Sequence, residues 1–157
     1  MVIVMIRVLF VCHGNICRSP MAEFLFKDMV NNRNLSKMFH IESCATSNEE
    51  IGNSVHYGTK RILNNLGIDC SGKRARRFQT DDYKNFDYII CMDQNNIRNL
   101  SYFVNVDHDN KIHLLLEYVG LNRNIRDPWY TGNFEETYSD IILGLDAFLR
   151  FAMEHQK

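Results

Sequence analysis

The chain of 157 residues is 45% hydrophobic and 24% charged, which places it among ordinary globular proteins and excludes a disordered or fibrous one. At this length one core is expected, so residues 1–157 read as a single domain. Eighteen Lys plus Arg against nineteen Asp plus Glu leave a net charge of -1, too little to coat nucleic acid or an anionic membrane, so any anion site must be local.

The run 1–10 is apolar apart from Arg7 and leads into Val11 and Cys12 with no small-residue cleavage pattern, so it reads as a buried strand and not as a leader. Within it, Val8-Leu-Phe-Val-Cys12 is a continuous apolar segment of the kind that parallel sheets cover on both faces. After a loop through Pro20, residues 21–30 put Met21, Phe24, Leu25 and Met29 at helical spacing, with Glu23, Lys27 and Asp28 on the other face. Ser19 and Pro20 read as a capping hydroxyl and a proline at the first helical position. Residues 39–45 form a second strand, and residues 55–66 a second helix that stops at Gly67. A third strand over 86–92, a third helix over 95–103, a fourth strand over 111–116 and a long helix over 134–153 follow.

This alternation predicts an α/β fold, a doubly wound four-stranded parallel sheet with helices on both faces and ligands at the carboxyl ends of its strands. Nothing approaches the roughly 18 uninterrupted apolar residues needed to cross a membrane. Five cysteines (Cys12, Cys17, Cys44, Cys70 and Cys91) in a chain with no export signal fit free thiols in a reducing cytoplasm, the expected location.

The carboxyl end of the first strand carries Cys12-His-Gly-Asn-Ile-Cys-Arg-Ser19, which enters the first helix directly. A helix start offers unpaired N–H groups and the positive end of its dipole, and a loop containing Gly14 can aim further N–H groups at the same point. Cysteine there ionises readily, which makes Cys12 a nucleophile; Arg18 supplies a planar fork for two oxygens of a phosphoryl group. The loop His13 to Ser19 is thus a phosphate-binding loop with a nucleophile at its base.

This Cys-x5-Arg-Ser loop resembles the signature of protein tyrosine phosphatases, and the fuller form Val11-Cys-His-Gly-Asn-Ile-Cys-Arg-Ser-Pro20 resembles the low-molecular-weight family. Ser43-Cys-Ala-Thr-Ser47, Ile51-Gly-Asn53, Phe86-Asp-Tyr-Ile-Ile-Cys-Met-Asp93 and Asp127-Pro-Trp-Tyr130 follow in that family's order, so the resemblance spans nearly the whole chain. It implies hydrolysis of phosphotyrosine in proteins and of small aryl phosphates, with acid phosphatase activity, through a phosphocysteine. Inorganic phosphate is the product; no metal and no cofactor are needed. On this resemblance Asp127 protonates the departing phenolate and then activates water, and Ser19 donates a hydrogen bond to the Cys12 thiolate. Asn15 ties the loop to Ser43, Trp129 and Tyr130 wall a slot for a phenyl ring, and Cys17 can form a disulfide with Cys12 on oxidation. Tyr130 matches tyrosines that are themselves phosphorylated in some relatives.

Two positions depart from the family pattern. Lys73 stands where a histidine usually joins the Asn15 network, and Glu49 stands where the slot wall often carries an aromatic residue, which disfavours very acidic phosphopeptides. Competing readings are weaker. Cys12 and Cys17 with His108 and His113 could be taken as zinc ligands, but about ninety residues separate the pairs. Trp129 could be core, and Lys73, Arg74, Arg76 and Arg77 a solvated basic run. An arsenate reductase shares the loop but needs a close cysteine pair after the third strand, where Cys91 stands alone. A non-catalytic phosphate binder has no use for a nucleophile and an acid together.

Overall fold

The computed structural model describes residues 4–156. In chain order the main elements are β1 (Ile6–Cys12), α1 (Arg18–Asn32), β2 (Phe39–Ala45), α2 (Tyr57–Asn65), α3 (Asp82–Asn85), β3 (Tyr88–Cys91), α4 (Gln94–Leu100), β4 (Ile112–Leu114), α5 (Pro128–Thr131) and α6 (Phe134–Glu154). The four strands make one parallel sheet in the order β2-β1-β3-β4, so β1 is an inner strand held on both edges. That explains its unbroken apolar run from Val8 to Cys12. Val8, Phe10 and Cys12 face a core formed with α1 and α6, while Leu9 and Val11 face a second core with Phe78, Phe86, Leu100 and Leu114.

The first core centres on Phe26, whose ring lies 5.8 Å from Phe10, 5.3 Å from Phe39 and 5.4 Å from Phe148. Truncating a ring of this kind costs about 3–5 kcal/mol. Phe26 also ties α1 and α6 to β1 and β2, the strands that hold the loop after β1.

The second strand falls on the expected residues, and Gly67, in the left-handed region at φ 76°, follows the end of the second helix. Other expectations need correction. The first strand begins only at Ile6, because Val4 and Met5 are exposed and unpaired with the sheet; the rest of the run 1–10, Met1 to Ile3, lies outside the described residues. Helix α1 starts two residues before the expected first position, at Arg18, which makes Pro20 its third residue, with Cys17 at the cap position and no capping side chain. Ser19 is therefore not the cap; its hydroxyl lies inside the first turn and is used elsewhere. Glu23, assigned to the polar face, is only 4% exposed, because Ala22 and Phe26 extend the buried stripe around it. The third and fourth strands and the third helix are each shorter than expected, and α3, α5 and a 3-10 turn over Leu115–Val119 carry no strong periodic signal.

Candidate active site

Strand β1 ends at Cys12 and helix α1 begins at Arg18, so five residues must turn the chain at the carboxyl edge of the sheet. The turn is fixed by its carbonyls. The carbonyl of Cys12 accepts from Thr46 N at 3.0 Å, that of His13 from Ser47 N at 3.1 Å, that of Ile16 from His56 N at 2.8 Å, and that of Cys17 from Thr59 Oγ1 at 2.9 Å. In a trans peptide the C=O and the following N–H point in opposite directions. Drawing four carbonyls outward therefore turns the N–H groups of His13, Gly14, Cys17 and Arg18 toward the inside of the loop, where the α1 dipole adds its positive end.

Asn15 makes this path possible. Its φ of 59° is left-handed, a conformation asparagine tolerates, and its side chain is buried. Asn15 Nδ2 donates to Ser19 Oγ at 2.7 Å and to Ser43 Oγ at 2.9 Å, and its Oδ1 accepts from Arg76 N at 3.1 Å. The expected tie to Ser43 is present. The network continues deeper than expected: Ser43 Oγ donates to the buried Glu23 at 2.5 Å, and Lys73 Nζ reaches Ser43 O at 2.9 Å and Glu23 at 3.5 Å. Burial lowers the Lys73 pKa and Glu23 opposes that shift. Lys73 thus braces the loop from behind. Arg76 pairs with Asp82 and Glu42, so of the basic run Lys73 and Arg76 are engaged, while Arg74 is exposed.

Cys12 Sγ sits 3.0 Å from Ser19 Oγ and 3.4 Å from Ser19 N, at the foot of a pocket of about 110 Å³. Arg18 is 2% exposed; it donates to Asp93 Oδ2 at 2.7 Å and to Ile125 O at 2.8 Å, and lies 3.4 Å from Asp127 Oδ2. Burial works against its charge, but Cys12, Asp93 and Asp127 outweigh it and raise the pKa above the ordinary value. The guanidinium is therefore permanently charged and held in one plane. Asp127 caps α5, accepting from Trp129 N at 3.0 Å, and Pro128 follows at the first helical position, which restricts the backbone at the carboxylate.

Glu49, Trp129 and Tyr130 line this pocket together with Cys12, His13, Gly14 and Arg18. Trp129 is 58% exposed, which removes the reading of it as core. Glu49 lies 3.0 Å from His13 Nε2 across the rim. Cys17 lines the pocket too, but burial, then Cys12 and Asp127, push its thiol well up against the pull of Arg18. It stays a thiol at neutral pH. Cys44, Cys70 and Cys91 are buried and free. No group of three His, Cys, Asp or Glu among the described residues is placed to hold a metal.

Several site residues carry no readable signal as such. Asp93 belongs to a quoted motif but its pairing with Arg18 is not legible, because its capping of α4 through Asn96 N is the reading a turn aspartate invites. Glu50 packs over Gly14; Thr46, Ser47, His56 and Thr59 are distant in sequence from the loop they secure, and Glu23 reaches it only through Ser43.

The whole arrangement can be set beside known proteins. A family model described as low molecular weight phosphotyrosine protein phosphatase matches residues 7–156. The chain is 42% identical over 147 residues to low molecular weight protein-tyrosine-phosphatase YfkJ of Bacillus subtilis, covering 92% of this chain and 94% of that one. It is 35% identical over 151 residues to PtpA of Staphylococcus aureus, covering 96% of each. The crystal structure of YfkJ superposes with a TM-score of 0.93 over 98% of both chains, and that of SP-PTP from Streptococcus pyogenes with 0.82 at 42% identity over 98% of this chain and 100% of that one. A Cys-x5-Arg loop at the carboxyl end of an inner strand, a match along almost the entire length of the chain and these relatives agree: the chain belongs to the low molecular weight phosphotyrosine protein phosphatase family.

Proposed function

We propose that Cys12, Arg18 and Asp127 carry out hydrolysis of phosphotyrosine in proteins and of small aryl phosphates, within a single domain in the cytoplasm. The phosphate dianion enters the ring of inward N–H groups, and Arg18 holds two of its equatorial oxygens. The Cys12 thiolate attacks phosphorus in line; the S–P bond forms as the P–O bond to the ring breaks, and Asp127 hands its proton to the departing phenolate. Water then attacks phosphorus, Asp127 takes its proton, the S–P bond breaks, and inorganic phosphate leaves. The returning thiolate accepts a hydrogen bond from Ser19 Oγ, 3.0 Å away. All steps use this chain's own side chains, without a cofactor.

The observation that carries this reading is the meeting of residues 12, 18 and 127 in one pocket walled by Trp129 and Tyr130. A phenyl ring fits between large flat side chains. A site where nucleophile, clamp and acid line one pocket also favours catalysis over mere phosphate binding. The buried Cys91 stands apart from the pocket, which favours hydrolysis over electron transfer through a thiol relay. Absence of membrane-spanning helices among the described residues fits action on soluble substrates. The test is release of phosphate from p-nitrophenyl phosphate at acidic to neutral pH: Cys12→Ser is expected to abolish it while keeping the fold, and retained turnover defeats the proposal.

A further inference from the structure

We infer that His56 is a positioning residue for Asp127, an inference that rests on the acid role proposed above. Asp127 belongs to a thinly anchored segment. Between the buried Pro128 and the buried Phe134, every residue from Trp129 to Asn133 is exposed, and α5 is a single turn. One Asp127 oxygen depends on that turn, since Trp129 N donates to Oδ1 at 3.0 Å. If Trp129 shifts, the donor that orients the carboxylate shifts with it. Something must therefore hold Trp129 relative to Cys12.

His56 is built into both sides of that gap. Its backbone N–H donates to Ile16 O at 2.8 Å, so its main chain is part of the outward pull that shapes the nucleophile loop. Its ring meets the Trp129 ring edge-on, with centroids 5.7 Å apart at 76°, and stacks on Phe134 at 5.1 Å and 16°. Both ends of the exposed segment thus rest on one imidazole. The ring itself cannot swing freely, because Nδ1 accepts from Gly58 N at 3.0 Å and so caps α2. That hydrogen bond also leaves the neutral ring protonated on Nε2. Gly58 completes the fit: a Cβ there would lie 2.5 Å from Phe134 ring carbons, so only glycine lets α2 press against the ring that His56 stacks on.

Two functions of His56 can be separated by substitution. His56→Asp keeps the backbone N–H and supplies a good cap but deletes the ring; His56→Phe keeps a flat ring and deletes the cap. Loss of acid alignment slows poor leaving groups selectively, as loss of the acid itself does. We expect His56→Asp to lower kcat/KM for phenyl phosphate roughly tenfold more than for p-nitrophenyl phosphate. His56→Phe is expected to restore the wild-type ratio to within about twofold, and in an Asp127→Asn background His56→Asp should leave the ratio unchanged. Equal slowing of both substrates by His56→Asp, or a ratio change in His56→Phe as large as in His56→Asp, overturns the inference. Should His56→Asp fail to fold, His56→Asn offers a second cap without the ring.

Trp129 is the only tryptophan, so its emission gives a readout that needs no turnover. Acrylamide quenching should increase in His56→Asp and not in His56→Phe; unchanged quenching in His56→Asp also overturns the inference. A wild type inert toward both aryl phosphates would sink the acid role while the quenching result still reported on the contact.

Discussion

Two clefts open at opposite ends of the sheet. The one at the amino ends, beside Ile6, Tyr88 and Lys111, is a large hollow of about 810 Å³ edged by Tyr118, Phe151 and His155; the one at the carboxyl ends is about 110 Å³. Size points to the wrong one. In the large cleft several polar groups already have partners: His113 bonds Asn110 O and Glu117, and Asp87 accepts from Arg7 N. In the small one a charged guanidinium, a sulfur and a carboxylate face one space, and backbone N–H groups converge there because β1 runs directly into α1. Parallel strands with intervening helices place all helix N-termini at the carboxyl edge, so the chemistry follows the direction of the chain.

Substitutions at the two ends sharpen this contrast. After loss of Cys12 itself, Arg18→Lys should cause the next largest loss, roughly 10²–10³-fold in kcat, because an ammonium cannot span two phosphate oxygens while keeping its bonds to Asp93 and Ile125 O. A loss below about tenfold would show that the loop N–H groups suffice. Asp127→Ala should slow phenyl phosphate on the order of 100-fold while affecting a dinitrophenyl phosphate far less; a uniform effect would remove its role as acid.

Lys73→Met acts behind the loop. It takes from the buried Glu23 and from Ser43 O a charged partner, with a cost of about 1–3 kcal/mol in unfolding free energy. The pH dependence has a definite sign. Burial holds the folded pKa of Lys73 below its ordinary 10.5, so between those values the unfolded chain binds more protons and wild-type stability rises with pH relative to the variant. Denaturant melts of both proteins up to pH 10.5 measure it, and a difference that shrinks with pH contradicts the assignment. The smallest effect is expected at the other cleft: His155→Ala should change kcat/KM by less than about twofold, and a larger change would mean that the two ends communicate.

Legibility from sequence followed the same divide. Strand β1 and its loop were readable because an apolar run buried on both faces, a glycine-containing turn and a helix start stand next to each other in the chain, so local rules act together. Even there Ser19 misled, since a serine before proline fits a helix cap as well as it fits a partner for sulfur. Glu23 and Lys73 were not readable as a pair: each looks like surface charge in its own segment, and only packing of α1 beside β2 buries them. Asp127, Trp129 and Tyr130 came through resemblance, because a four-residue helix has too little length for periodicity. His56 gave no signal, since its contacts lie in three other segments.

The inner position of β1 has a consequence for how the enzyme fails on warming. Cys12 terminates a strand paired on both edges, a region whose amides should exchange with solvent only in global unfolding. Asp127 begins an exposed turn of the kind that frays in small local openings. With the roles proposed for Asp127 and Cys12, heat should therefore detach proton delivery before it detaches the nucleophile, leaving a window of temperature in which the protein still traps oxyanions but turns over only substrates that leave unaided.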